Sequence, residues 1–200
     1  LVVGLSVAGL ATLIGLAIGL VSGYLRAVDV VVMRVMDGMM AIPAIMLAIA
    51  LIALSKASIL IVIVAVTLPE VPRVLRLVRS TVLTLRELPY IEAATAIGTS
   101  VPRIMLRHLL PNALPPLIVQ ATYICASAVL IEAALSFLGA GTPPEVPSWG
   151  NIMAEARPYF QLKPAMVLLP GLFLAVTVLA INLVGDGLRD MLDPRLARRM

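Results

Sequence analysis

Residues 164–185 read PAMVLLPGLFLAVTVLAINLVG, 22 positions without one charged side chain. Coiled into a helix rising about 1.5 Å per residue, the stretch would be about 33 Å long, matching the hydrocarbon core of a bilayer. Moving outward from it, further uncharged runs occupy residues 1–25, 38–55, 57–69 and 109–131. Residues 1–25, 109–131 and 164–185 meet the length of about 20 residues that a span requires, and 38–55 nearly does. The run at 57–69 is short and must borrow residues through 71–77 or tilt. These runs predict five spans, at about 1–21, 39–55, 57–77, 113–137 and 164–185.

Composition supports the same class. The chain is 61% hydrophobic and 13% charged, with a mean hydropathy of +1.07. A soluble domain is about 45–50% apolar and about 25% charged, so this chain would leave apolar surface uncovered in water. A β-barrel is excluded because the runs are continuous, whereas barrel strands alternate apolar and polar residues. The expected fold is an all-α, polytopic transmembrane helix bundle with one membrane domain over residues 1–200. The single cysteine, Cys125, lies inside an apolar run and rules out a disulfide framework. No basic segment precedes the first run, which is therefore not read as a signal peptide. Leu1 is not an initiator, and the expectation is a piece of a longer chain.

The arginines orient the bundle. If the first span ends in the cytoplasm near Tyr24, the inner segments hold Arg26, Arg34, Arg73, Arg76, Arg79, Arg86, Arg103, Arg107, Arg189, Arg195, Arg198 and Arg199. The outer segments hold only Lys56, Arg157 and Lys163. Lysine and arginine are retained on the cytoplasmic side, and twelve against three selects this orientation. The net charge of +4 is then a topology signal. Single-strand nucleic-acid binding would need aromatic residues among the arginines, which are absent, so no nucleic-acid partner is expected.

Within the spans, Gly4, Gly9, Gly15 and Gly19 predict close helix packing. Residues 26–37 place Arg26, Asp29, Arg34 and Asp37 on one side of a helical wheel, as in an interfacial helix or the wet end of a span. The sequence Pro69-Glu70-Val71-Pro72 predicts a kink or break, with Glu70 held near Arg73 or Arg76. Between the spans lies a segment of about 35 residues, 78–112, too long for a simple connector.

That segment has its own logic. Pro89 suits a first helical turn, because its missing N–H is one of those a helix start leaves unpaired. Glu92 in the same turn complements the helix dipole. Ala93, Ala94 and Ala96 favour helix and present a small-residue face. Gly98 ends the helix as a C′ glycine. Thr99 or Ser100 can cap a second helix with Pro102 in its first turn, running to Leu109 until Pro111 stops it. Two short helices around a glycine hinge, with a flat alanine surface and one carboxylate, suit docking into another protein's groove.

The order Glu92-Ala93-Ala94, Gly98, and Arg107 through Leu110-Pro111 resembles the EAA loop of permease subunits in bacterial ABC importers. The phrases at 86–94 and 107–112 are similar to the dipeptide/oligopeptide/nickel branch. So are Leu135-Ser136-Phe137-Leu138-Gly139 with Pro147-Ser148-Trp149-Gly150, and the stretch 182–195. Glu132-Ala133-Ala134 repeats the triplet without the glycine or the basic context. The resemblance implies six spans in a full chain and residence in the cytoplasmic (inner) membrane. It also implies a homologous permease subunit, cytoplasmic ATPase subunits and an external solute-binding protein as partners. By the same resemblance residues 78–112 form the coupling loop, with Glu92, Ala93, Ala94, Gly98 and Pro111 as its ATPase-coupling residues. Trp149 would face the binding protein. Thr95 stands where the family pattern often has arginine.

Catalytic machinery is not expected. No Walker-type phosphate loop occurs, so ATP hydrolysis is assigned to a separate subunit. His108 is the only histidine, and no cluster has metal-ligand spacing, so neither metal nor cofactor is expected. Ser6, Ser127 and Ser136 lack a base. Thr12, Gln120, Thr122, Tyr123, Thr177 and Asn182 are the polar groups inside the spans. Each either lines a path or, the favoured reading, bonds to a neighbouring helix. The function expected is the permease half of an ATP-driven importer for peptides or similar small solutes. A passive channel, a secondary transporter and a non-transporting scaffold are the alternatives.

Overall fold

The computed structural model describes residues 1–54 and 58–192, and every regular element among them is helical. The turn at Lys56 and the basic tail from residue 193 lie outside the described residues. In chain order the helices are α1 (Val2–Tyr24), α2 (Arg26–Met40), α3 (Ala44–Ala53), α4 (Ile59–Leu85), α5 (Pro89–Ala96), α6 (Val101–Ile104), α7 (Leu110–Phe137), α8 (Trp149–Ala156) and α9 (Ala165–Leu192).

Three helical stretches, Val2–Tyr24, Val101–Phe137 and Ala165–Leu192, are long and apolar enough to cross a membrane. Helices α2 and α3 qualify together as one broken span, bent by 83°. The remaining expected span, at 57–77, falls within α4, whose 27 residues reach about 40 Å, although α4 is not among the helices apolar enough to cross a membrane by composition. From its middle onward it carries Glu70, Arg73, Arg76 and Arg79.

The break between α2 and α3 has a local cause. Pro43 occupies the N-cap of α3 in an extended conformation (ψ 131°). A proline also disfavours the helical region for the residue before it. The span expected at 39–55 is therefore a ten-residue helix, and α2 turns off at a steep angle. Two ion pairs tie α2 to α4. Arg79 grips Asp29 with two nitrogens, and Arg76 reaches Asp37 at 2.5 Å.

Helix α4 differs from expectation in the opposite sense. Pro69 and Pro72 leave it a single helix from Ile59 to Leu85. Ser58 caps its start by accepting the Ile61 N–H at 3.2 Å. Both prolines are buried, and tertiary packing holds the helix through them. Glu70, 1% exposed, accepts from Arg73 at 2.8 Å, as the sequence predicts.

Packing of α1 on α4 runs along a glycine stripe. A Cβ at Gly15, Gly19 or Gly23 would lie 2.5–2.8 Å from the Cβ of Val74, Val78 or Val82 respectively. Paired numbers rise together, so the helices run parallel with their backbones nearly touching. Small residues permit this approach where lipid supplies no hydrophobic drive. Gly4 packs on Cys125 and Val129 of α7. Gly9, expected in the same role, has open space where a Cβ would sit, and Gly23 takes part instead. Helix α9 rests on α7 through Gly185, which seats against Thr122. Most of α9's other apolar side chains are exposed, as a lipid-facing helix requires.

Candidate functional site

Leucine 88, extended at the N-cap, turns the chain out of α4, and Pro89 starts α5 at a position where no N–H is needed. The eight residues of α5 form an amphipathic unit in miniature. Ile91 (2% exposed) and Ala94 (8%) face the bundle, where Ile91 joins the core with Ile104 and Leu109. Glu92, Ala93 and Ala96 face outward. The alanine surface expected from sequence is thus split: Ala94 seats the helix while Ala93 and Ala96 remain accessible.

A complete Schellman motif closes α5. Gly98 has φ +79° and donates to the Thr95 carbonyl at 3.0 Å, while Thr99 donates to the Ala94 carbonyl at 3.0 Å. Those bonds satisfy carbonyls that a helix end leaves orphaned. A Cβ on Gly98 would meet nothing within 4 Å, so the backbone angle alone demands glycine here. Thr95 turns its hydroxyl back to the Ile91 carbonyl at 2.8 Å. Ile97, just before the turn, is 83% exposed.

The second half of the segment corrects the sequence reading. Ser100 takes the N-cap position of α6 without a side-chain hydrogen bond. Pro111 does not end the helix that follows. Residues Met105–Leu109 form a π-helical turn, and the chain continues directly into α7. Leu110 donates to the Met105 carbonyl in the wider turn. Asn112 sends its side-chain Nδ2 to the His108 carbonyl at 2.6 Å. Pro111 then sits in the first turn of α7, where its missing N–H is harmless. Of residues 78–112, the first eight complete α4 and those from 101 onward lead into α7. Helix α5 and its glycine turn are what stands apart.

Two contacts fix α5 relative to the spans. Arg86 donates to the Gly23 carbonyl at the end of α1 (3.4 Å), and Tyr90 lies 6.0 Å from His108, ring to ring. A cleft of about 610 Å³ opens beside α5, lined by Tyr24, Arg86, Ile91, Glu92, Thr95 and Ala96. Among these, Glu92 and Arg86 are the charged groups, Tyr24 and Thr95 bring hydroxyls, and Ile91 and Ala96 are apolar.

At the other end of the bundle, Trp149 begins α8 and stacks on Phe173 of α9, with centroids 5.6 Å apart and planes 11° apart. Beneath it lies a polar cluster that the sequence reading did not assemble. Glu132 (8% exposed) accepts from Ser136 at 2.7 Å and from Thr142 at 3.1 Å. Asn151 donates to the Pro143 and Val146 carbonyls at 3.0 and 2.9 Å. Its signal in the sequence was a lone glutamate closing the long uncharged run at 109–131.

The polar groups inside the spans behave more locally than expected. Thr122 and Thr177 bond to the carbonyls of Val119 and Phe173 in their own helices, each at 2.7 Å. Tyr123 reaches across to Asp186 of α9. Thr12 Oγ1 is buried without a partner among the described residues.

Comparison with known proteins places this architecture. The chain is 54% identical to Probable peptide ABC transporter permease protein y4tQ of Sinorhizobium fredii, over 89% of this chain and 61% of the relative. It is 43% identical to dipeptide transport system permease protein DppC of Alkalihalophilus pseudofirmus, over 93% of this chain and 62% of the relative. The chain therefore spans less than two thirds of the length of these curated relatives. In fold it matches a chain of the MetNI methionine ABC transporter in an inward-facing conformation, with a TM-score of 0.71 and 24% identity. That match covers 96% of this chain and 93% of the other. The profile of binding-protein-dependent transport system inner membrane components matches residues 11–198, and the chain belongs to that family.

Proposed function

We propose that this chain is the permease subunit of an ATP-driven importer and forms the passage for peptides or similar small solutes across the cytoplasmic membrane. The observation that carries the proposal is α5: a short helix with Glu92, Ala93 and Ala96 outward, closed by the Gly98 turn and standing apart from the spans. A separate ATPase subunit grips this helix at Glu92 and Ala93, with Ala94, Gly98 and Pro111 setting its position. The arginine-rich end carrying residues 78–112 faces the cytoplasm, in keeping with retention of positive charge there. Residues 1–200 act as one permease domain, paired with a homologous permease subunit. Trp149, 37% exposed at the opposite end, meets the external solute-binding protein. The peptide preference is supported by the names of the relatives.

The test is uptake by the complete transporter carrying Glu92→Ala or Gly98→Val. Uptake is expected to fall at least tenfold, and co-purification of the ATPase with the permease is expected to be lost, while membrane insertion persists. Normal uptake and normal co-purification in both variants would overturn the proposal.

A further inference from the structure

Helix α8 and the first turns of α9 enclose a groove of about 440 Å³. Its floor includes Ala156 and Pro170, both buried, and its rims carry Ile152 and Tyr159 on one side and Met166 and Leu169 on the other. Leu169 opens a stripe on α9 in which Leu172, Val176, Leu179 and Leu183 follow at three- and four-residue spacing, each more than half exposed. That spacing keeps them on one helical face. In a membrane-spanning helix such a face is solvated by acyl chains, which are as apolar as leucine. At the groove this lipid-facing surface runs in between two helices.

Beyond the groove the chain changes character. All ten residues from 157 to 166 are exposed, with Tyr159, Phe160 and Leu162 at 54%, 48% and 81%. The turn is not slack. Phe160 donates its N–H to the Arg157 carbonyl at 3.2 Å, and Lys163 donates to the Tyr159 carbonyl at 2.8 Å. The apolar side chains are thus held outward by bonded backbone. Rings with one apolar and one wet side settle where hydrocarbon meets headgroups, and the turn precedes the lipid-facing stripe by about two helical turns. Cations flank the rings. Arg157 and Lys163 enter none of the three ion pairs among the described residues. They also outnumber Glu155, the one acid lining the groove. Arg157 lies over the Phe137 ring at 5.7 Å, which keeps it beside the end of α7. The rim therefore keeps the positive charge that a phosphate requires.

We propose that this groove and turn bind a phospholipid of the outer leaflet. One acyl chain lies in the groove against Ile152 and Leu169, and the phosphate rests at Arg157 and Lys163, with Tyr159 and Phe160 in the headgroup layer. The leaflet rests on the orientation proposed above, whereas the site itself does not depend on the solute carried. Residues 157–163 then lie along the membrane surface, and a lipid braces α8 against α9.

The complete transporter in nanodiscs of phosphatidylethanolamine and phosphatidylglycerol tests this with a spin label on Leu162→Cys in a Cys125→Ala background, the other subunits freed of reactive cysteines. Relaxation by dissolved oxygen is expected to exceed that by a water-soluble nickel chelate, as for a label within lipid. Stronger relaxation by the chelate, or protection from both reagents, overturns the anchor, since the turn then lies in water or under protein. Native mass spectrometry of transporter released from the same bilayer reads the groove. Ala165→Trp fills it from an exposed position, and the permease chain should lose one retained phospholipid. Arg157→Gln and Lys163→Gln should each lower occupancy about fivefold. Unchanged occupancy in Ala165→Trp overturns the acyl-chain site, and unchanged occupancy in both glutamine variants overturns the phosphate assignment. Failure of peptide uptake with lipid occupancy intact overturns the import reading and leaves this site standing.

Discussion

The two ends of the bundle handle charge in opposite ways. At the α5 end, Asp29 and Asp37 meet Arg79 and Arg76 in pairs that keep contact with water, and Arg86 bonds to a backbone carbonyl. At the α8 end, Glu132 is buried among hydroxyls and an amide. Exposed pairs gain little energy and exchange readily. A buried network is costly to disturb, because each lost donor strands a partner in a dry place. The contrast makes one end adjustable and the other rigid.

The largest effect should come from the rigid end. Asn151→Ala strips donors from the Pro143 and Val146 carbonyls, with an expected local loss of about 2–3 kcal/mol. Amide hydrogen exchange over residues 142–148 should accelerate by more than tenfold. An unchanged rate would remove the distinction between the ends. Gly98→Ala comes next: forcing a Cβ into a left-handed turn costs about 1–2 kcal/mol. Exchange should quicken in α5 alone, with the unfolding temperature of the spans unaltered. Third is the pair Asp29–Arg79, less exposed than its neighbour, with side chains 16% and 28% accessible. A double-mutant cycle with Asp29→Asn and Arg79→Gln should return a coupling of about 1 kcal/mol. The smallest effect is expected at Asp37–Arg76, with side chains 56% and 43% accessible. There Asp37→Asn should leave stability unchanged, and added salt should erase any coupling that low salt reveals.

Much of the scaffold was readable because its cause is local or periodic. The uncharged runs at 1–25, 109–131 and 164–185 became α1, α7 and α9, since no other structure satisfies backbone groups in lipid. Pro89, Glu92 and Gly98 announced α5, because each acts within a turn of its own position. Proline was the main source of error. Pro43 breaks its span, whereas Pro69 and Pro72 do not, and that depends on α1 pressing against the same helix. Pro111 was read as a stop because a π-helical turn and the reach of Asn112 to His108 cannot be inferred from composition. Glycine shows the same divide. Gly98 is legible from backbone geometry, but choosing Gly23 over Gly9 requires knowing which stripe meets α4. The cluster around Glu132 was missed for a related reason. Its members are spread over residues 132–151, and only the reversal between α7 and α8 brings them together.

The parallel seam of Gly15, Gly19 and Gly23 on Val74, Val78 and Val82 has a mechanical consequence. With only the valine side chains of α4 seated on the bare glycines of α1, the two helices cannot slide or roll past one another without a clash, so they behave as one stiff strut. Arg86 pins its lower end to Gly23, and α5 hangs from that end by three residues. A displacement of α5 would therefore be passed to both helices together, not to α4 alone.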